Sequence, residues 1–301
     1  MSPPATTPTA ARLLAGDVRL RRRRAVNRGM EVLATLAAVL AVTVLAVVIV
    51  SVFVKGISAI NLDFFIHSEV PFGQTGGGIA NAIVGTLLLV ALASAMAIPV
   101  GILLGIHTSE FAHARTAAVV RFALDMLNGV PTIVTGVFVF GLLVAGHQQS
   151  GWAGAFALAI VMLPIVARSA QEVLALVPEA LKEGALALGA PRWRTVLRVV
   201  LPTAAGGLIT GALLAVARVA GETAPLLFTS SIIASTGVSA NPGQALTSIP
   251  VRIFELSEGY SATERAQAWA AALLLIFFVL ALNVLARALY GRARTRVGTA
   301  R

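Results

Sequence analysis

Apolar residues run in six long stretches, near 31–54, 80–106, 117–146, 152–168, 203–228 and 267–289, with shorter polar segments between them. A helix needs roughly 20 mainly apolar residues to cross a hydrocarbon core of about 30 Å, so each stretch suits one span. Polar segments near 169–202 and 229–266 flank the fifth stretch and interrupt the apolar pattern cleanly. In lipid every backbone N–H and C=O must be satisfied within the protein, which favours helices over open strands. The pattern therefore predicts an all-α membrane protein with six transmembrane helices. Pro99, Pro131, Pro164 and Pro225 fall inside apolar runs and predict kinks that neighbouring helices compensate.

Composition agrees: 57% of residues are hydrophobic and 12% charged, and the mean hydropathy is +0.89. A formal net charge of +10 could signal nucleic acid, but the placement of the basic residues argues otherwise. With the N-terminus in the cytoplasm, Arg12 to Arg28, Arg115, the 168–198 loop and Arg287 to Arg301 all fall on that side, eighteen of the 23 Lys and Arg. Lys55, Arg252 and Arg265 face outward, and Arg121 and Arg218 lie within spans. This asymmetry follows the positive-inside rule and predicts an inner or plasma membrane protein with both termini cytoplasmic. No aromatic interleaving or binding motif accompanies the arginines, so no nucleic-acid partner is expected; they contact lipid headgroups and set topology.

Residues 1–28, rich in Pro, Thr and Arg, read as a disordered basic cytoplasmic tail. A six-helix domain covers 29–290, with a cytoplasmic loop at 169–202, and a second basic tail covers 291–301. The first apolar stretch is too long for a signal-peptide core and lacks a small-residue cleavage site, which makes it an uncleaved anchor.

Catalytic chemistry is nearly missing from the chain. There is no Cys and no Walker-type phosphate loop, zinc-protease pair or nucleophile elbow, so an energised transporter would need a separate ATPase. His67, His107, His113 and His147 are dispersed around loops and read as polar loop residues rather than metal ligands; no metal or cofactor is predicted. Gly73-Gln74-Thr75-Gly76-Gly77-Gly78 comes after no strand and reads as a flexible approach to the second span rather than a phosphate cradle.

The most informative segment is Val177-Pro178-Glu179-Ala180-Leu181-Lys182-Glu183-Gly184-Ala185-Leu186-Ala187-Leu188-Gly189-Ala190-Pro191, continuing through Arg192-Trp193-Arg194 to Val199-Val200-Leu201-Pro202. Pro178 can open a short helix and Gly189 with Pro191 can stop it; a second amphipathic helix is expected over about 192–200. Two short helices with a sharp bend between spans make a compact knob suited to a groove on another protein. Glu183-Gly184-Ala185, then Gly189, then Val199-Val200-Leu201-Pro202 resembles the EAA loop of ABC-importer permeases, whose coupling helix docks on a cytoplasmic ATPase. Gly184 stands where that pattern has Ala and costs on the order of 1 kcal/mol of helix stability, and Val199 stands for Ile.

A narrower resemblance runs from Gly76 to about Tyr290. Gly76 to Thr86, Ala217-Arg218-Val219-Ala220-Gly221-Glu222-Thr223-Ala224-Pro225-Leu226-Leu227-Phe228-Thr229 and Ser248 to Ile253 are similar to PstA-type permeases of phosphate importers. That resemblance implies a MetI-like, type I fold. It also implies a heterodimer with a paralogous PstC-type permease, two nucleotide-binding ATPase subunits and an extracytoplasmic phosphate-binding protein. An ABC permease for molybdate, tungstate, sulfate or an amino acid would keep the EAA-like loop without needing the Arg218 to Glu222 string.

Charges inside the spans cost at least about 2.5–3.5 kcal/mol on insertion scales, so they face the bundle interior and find partners. Arg218 and Glu222, four residues apart, are expected to pair on one helix face, as are Arg121 and Asp125. The guanidinium fork matches phosphate oxygens, which places Arg218 on the substrate path with Glu222 neutralising it between events; a structural ion pair at an interface is the other reading. Arg168 is either a second cation on the exit route or a topology signal. Arg121 and Asp125 read as structural, because a long arginine near a span end can snorkel to headgroups. Asn128, Thr135 and Thr223 could line a path or bond between helices, and Gly101-x-x-x-Gly105 and Gly207-x-x-x-Gly211 predict close helix packing. The 229–265 segment is expected along the outer surface.

Overall fold

The computed structural model of the chain describes residues 10–69, 77–230 and 237–298, and among them it is helical with no strand. It divides into two units, Met1–Val54 and Lys55–Arg301. The first holds nearly all of α1, Ala10–Gly56, a single helix of 47 residues. Residues 10–28, expected to be an unstructured tail, instead continue this helix. The reason is local: the Pro and Thr residues that suggested disorder are confined to residues 1–9, outside the described residues, whereas Ala, Leu and Arg, all strong helix formers, dominate residues 10–28.

The second unit contains α2 (Leu62–Ile66), α3 (Ala80–Ile106), α4 (Ala114–Gly129), α5 (Thr132–Val139), α6 (Gly151–Ala175), α7 (Glu179–Ala187), α8 (Arg192–Thr195), α9 (Leu201–Val219), α10 (Ala224–Thr229), α11 (Ile249–Ser257) and α12 (Ala262–Gly298). Five described helices are long and apolar enough to cross a membrane, and a bent pair makes a sixth. That pair corrects the third span. Instead of one helix over 117–146, α4 meets the helical segment Thr132–Val144 at a 95° bend. Pro131 forces the preceding residue out of the helical region, and Val130 is extended at φ −70°, ψ 128°, so the helix stops at Gly129 and restarts after the proline.

The fifth span is shifted as well. Its helix runs without a break from Arg192 to Val219, through a π-helical turn at Val196–Val200, so the second helix of the predicted knob is the head of the span itself. The helix then ends in a turn at 220–223, and Pro225 sits in the first turn of α10 rather than kinking a continuing helix. Pro99 and Pro164, in contrast, lie inside helices that continue past them.

α6 lies at the centre of the bundle, and both predicted small-residue pairs grip it. A Cβ on Gly101 would lie 2.8 Å from the Val166 side chain and one on Gly105 2.5 Å from Ala170. From the other side, Gly207 faces Val173 and Gly211 faces Ser169. Lipid provides no hydrophobic drive between helices, so such close backbone approach supplies the van der Waals contact that holds α3, α6 and α9 together. Leu89, Leu158, Met162, Val166, Val219 and Val251 fill the core around this seam.

Candidate functional site

Four groups of polar residues are placed by this frame, starting at the knob. α7 opens at Pro178 and ends at Gly189, which has φ +80°. The Ala190 N–H donates to the Ala185 carbonyl (3.1 Å) and the Gly189 N–H to that of Leu186 (2.9 Å), the paired closure that a left-handed glycine permits. Gly184 is tolerated inside the helix, exposed with nothing near its Cα. Glu183 and Pro202 are exposed, and Ala185 and Leu201 half-buried. Leu188, at 91% exposure, and Leu176, at 81%, project apolar surface, and the ring of Trp193 is exposed as well. Such surface at the end of a charged loop fits contact with another protein.

One side chain turns inward. Lys182 Nζ lies 2.9 Å from Glu110 Oε1 and 3.1 Å from Glu179 Oε1. Burial pulls the Lys182 pKa down, but hydrogen bonds to Glu110 and Glu179 outweigh it and leave the ammonium above its usual range. Glu110 belongs to a π-helical turn, His107–Phe111, that ends α3. The buried Thr108 hydroxyl in that turn accepts from Gln171 Nε2 of α6 at 2.8 Å.

The second group lies within the bundle and revises an expected pairing. Asp125 does not pair with Arg121, which is exposed; it forms an ion pair and hydrogen bond with Arg168, joining α4 to α6. Arg168 lies seven residues before the end of α6, or about 10 Å along its axis. The sequence could not find this partner, because the two residues are 43 positions apart.

Arg218 forms the third group. Helix α9 ends at Val219, and the Ala220 and Glu222 N–H groups bond back to Val216 and Val219, so Glu222 lies in a turn rather than on the helix face of Arg218. No ion pair joins the two among the described residues. Arg218 is exposed and Glu222 and Thr223 are half-buried, so this intramembrane cation is open to whatever covers the end of α9. Asn128 is exposed and Thr135 buried.

The last group, at the opposite end of α3 from the knob, was not anticipated. Arg252 of α11 lies 2.9 Å from Glu69 and 3.1 Å from Glu255, and Asn81 donates to Glu69 at 2.7 Å. The side chains of Arg252, Glu69 and Glu255 are 11%, 0% and 13% exposed. Burial holds both carboxyls above the usual carboxylate range, against the lowering pull of Arg252. Beside them the Ile249 N–H donates to Thr86 at 2.8 Å, pinning α11 to α3. Arg252, expected to face outward, lies outside the candidate spans and is a buried anchor. α11 is amphipathic, with Ile249, Pro250, Val251 and Leu256 buried. Of the glycine-rich run, residues 73–76 lie outside the described residues. Among the described residues no cluster of His, Asp and Glu could hold a metal ion.

A spanning bundle around α6 with a bent knob at one end is the architecture of MetI-like ABC-importer permeases. The alginate ABC transporter with its periplasmic protein bound superposes at a TM-score of 0.62 over 87% of this chain and 94% of that one, at 16% identity. An inward-facing MetNI methionine ABC transporter superposes at 0.54 over 71% and 93%, at 20% identity. The chain belongs to the family of binding-protein-dependent transport system inner membrane components, whose model matches residues 97–298. It is similar to the phosphate transport system permease protein PstA of Yersinia pestis, 39% identical over 90% of this chain and 92% of that one. The Haemophilus influenzae protein of the same name is 36% identical over 90% and 96%. PstA 1 of Mycobacterium tuberculosis is 39% identical over 71% and 70%.

Proposed function

We propose that this chain is the PstA-type permease subunit of an ATP-driven phosphate importer, and that it carries no enzymatic activity of its own. The observation that carries the reading is its 36–39% identity, over about nine-tenths of its length, with permeases named for phosphate transport. A paralogous PstC-type permease completes the translocation path, two nucleotide-binding subunits hydrolyse ATP, and an extracytoplasmic binding protein delivers phosphate. The knob of Glu183, Gly184, Ala185 and Gly189, continuing to Leu201 and Pro202, docks on an ATPase subunit in the cytoplasm, where both termini also lie. Its exposed Leu188 and Trp193 fit that contact.

Arg218 and Arg168 supply positive charge along the path. A guanidinium offers two parallel donors to a phosphate oxyanion. Arg218 is exposed in the single subunit without an ion pair among the described residues, which suits a cation completed by partner and substrate. Arg168 is half-buried and neutralised by Asp125, which suits a residue met later on the route. Glu222, in the turn that follows α9, would neutralise Arg218 between transport events.

The test is uptake of radiolabelled phosphate by proteoliposomes that hold the four-part complex, with binding protein on the extracytoplasmic side and ATP on the cytoplasmic side. Wild type is expected to accumulate phosphate and not sulfate or molybdate. Arg218→Gln is expected to abolish uptake while the complex remains assembled. Uptake of another anion in place of phosphate would overturn the reading.

A further inference from the structure

α7 has no buried residue, so apolar packing does not set its orientation. Its inward attachment is polar: the Lys182 side chain, 14% exposed, meets that of Glu110, 10% exposed, at 2.9 Å. Glu110 sits two residues from Thr108, which is bonded to Gln171 of α6 (2.8 Å) and donates to the carbonyl of Leu104 (2.8 Å) in α3. Gln171 lies one turn beyond Arg168 on α6, and Arg168 holds Asp125 of α4. Two polar contacts, Lys182 with Glu110 and Gln171 with Thr108, therefore tie the knob and α6 to the turn that ends α3, and the Arg168–Asp125 ion pair lies one turn further along α6, which is locked to α3 at Gly101 and Gly105.

From this arrangement we infer that Lys182 and Glu110 are positioning residues for energy coupling: their ion pair makes α7 move as one body with the ends of α3 and α6. The inference rests on the docking role given above to the knob around Glu183 to Gly189. A helix held only by its covalent ends would swing when pushed and dissipate the displacement. One held by a largely desolvated, hydrogen-bonded ion pair transmits it, because the pair cannot separate without leaving the Glu110 carboxylate buried and uncompensated. Glu179 shares the ammonium but is 74% exposed, so its contact is screened by water and adds little to the clamp.

The experiment uses the complete reconstituted complex and reads phosphate uptake and ATP hydrolysis in the same vesicles. Lys182→Met keeps the aliphatic stem and removes the charge; Glu110→Gln removes the other partner. Both are expected to retain the ATPase subunits and hydrolyse ATP, with phosphate moved per ATP falling at least about fivefold. Glu179→Gln is expected to stay within about twofold of wild type. The charge exchange Lys182→Glu with Glu110→Lys is expected to restore at least half of the lost ratio. An unchanged ratio in an assembled Lys182→Met complex overturns the inference, as does a parallel loss of hydrolysis, uptake and ATPase subunits that the exchange does not rescue. The docking reading fails separately: it falls if Leu188→Asp, at a position 91% exposed, leaves the ATPase subunits bound.

Discussion

Replacing Arg252 by Met would leave two carboxylates, Glu69 and Glu255, buried at one end of the bundle without a cation. Glu69 loses the guanidinium 2.9 Å away and keeps the Asn81 amide, while Glu255 loses its 3.1 Å partner. Removing one member of a buried ion pair costs about 3–5 kcal/mol, because the survivor has been stripped of water without compensation. Near pH 7.5 the loss should therefore be about 3–5 kcal/mol. The variant has an escape in taking up protons. Burial already raises both carboxyls and Arg252 is what pulls them down, so without it they rise further. A carboxyl raised in the folded state binds its proton more tightly there than in the unfolded chain, so it contributes most below the unfolded value of about 4.3 and loses that contribution as pH rises through the folded pKa. The deficit should thus shrink on acidification, by at most about 1.4 kcal/mol per pH unit for each carboxyl. Thermal unfolding in nanodiscs between pH 5 and 8, monitored by tryptophan fluorescence, reads this directly. Adding Glu69→Gln and Glu255→Gln to Arg252→Met should recover most of the lost stability at pH 7.5 and remove the pH dependence. A variant as stable as wild type, or one that loses more stability as the pH is lowered, would refute the reasoning.

The remaining expectations concern glycines whose surroundings differ. Gly105→Leu places a Cβ 2.5 Å from the Ala170 side chain, against the 3.5–4.0 Å of a relaxed carbon contact; it should cost about 1–3 kcal/mol by unfolding. Gly141→Leu, with open space around it, should be silent in the same assay. Gly189→Val forces a β-branched residue to φ +80° and should cost at least about 1–2 kcal/mol, fraying the end of α7 and reducing recovery of ATPase subunits on affinity purification. Gly184→Ala, exposed and unhindered, should retain those subunits and raise the stability of α7 by up to about 1 kcal/mol.

The apolar stretches carried the spans, because lipid accepts few other arrangements of a chain whose hydrophobic runs are this long. α3 begins and ends where the pattern predicts, and the glycine pairs at 101 and 105 and at 207 and 211 contact a neighbour as expected, since in a membrane small residues at that spacing have little other use. Gly189 and Pro191 were equally legible, their constraints being built into their own backbones. Pro131 predicts a kink and the chain makes a right-angle turn there, because local restriction stops a helix without saying where the next one points.

Which charges meet was not legible, and only the tertiary structure decided it. Spacing along one helix suggested Arg121 with Asp125 and Arg218 with Glu222; the folded chain pairs Asp125 with Arg168 and ends α9 before Glu222. Lys182 with Glu110 and Glu69 with Arg252 join positions far apart in the chain, and no periodicity encodes such a meeting. A buried charge takes whatever partner the packing of helices brings within reach, and that packing is a property of the whole bundle. The sequence by itself determined that this protein lives in lipid, what kind of bundle it builds and where its knob lies; the assembled helices alone settled how the knob is tied to the spans.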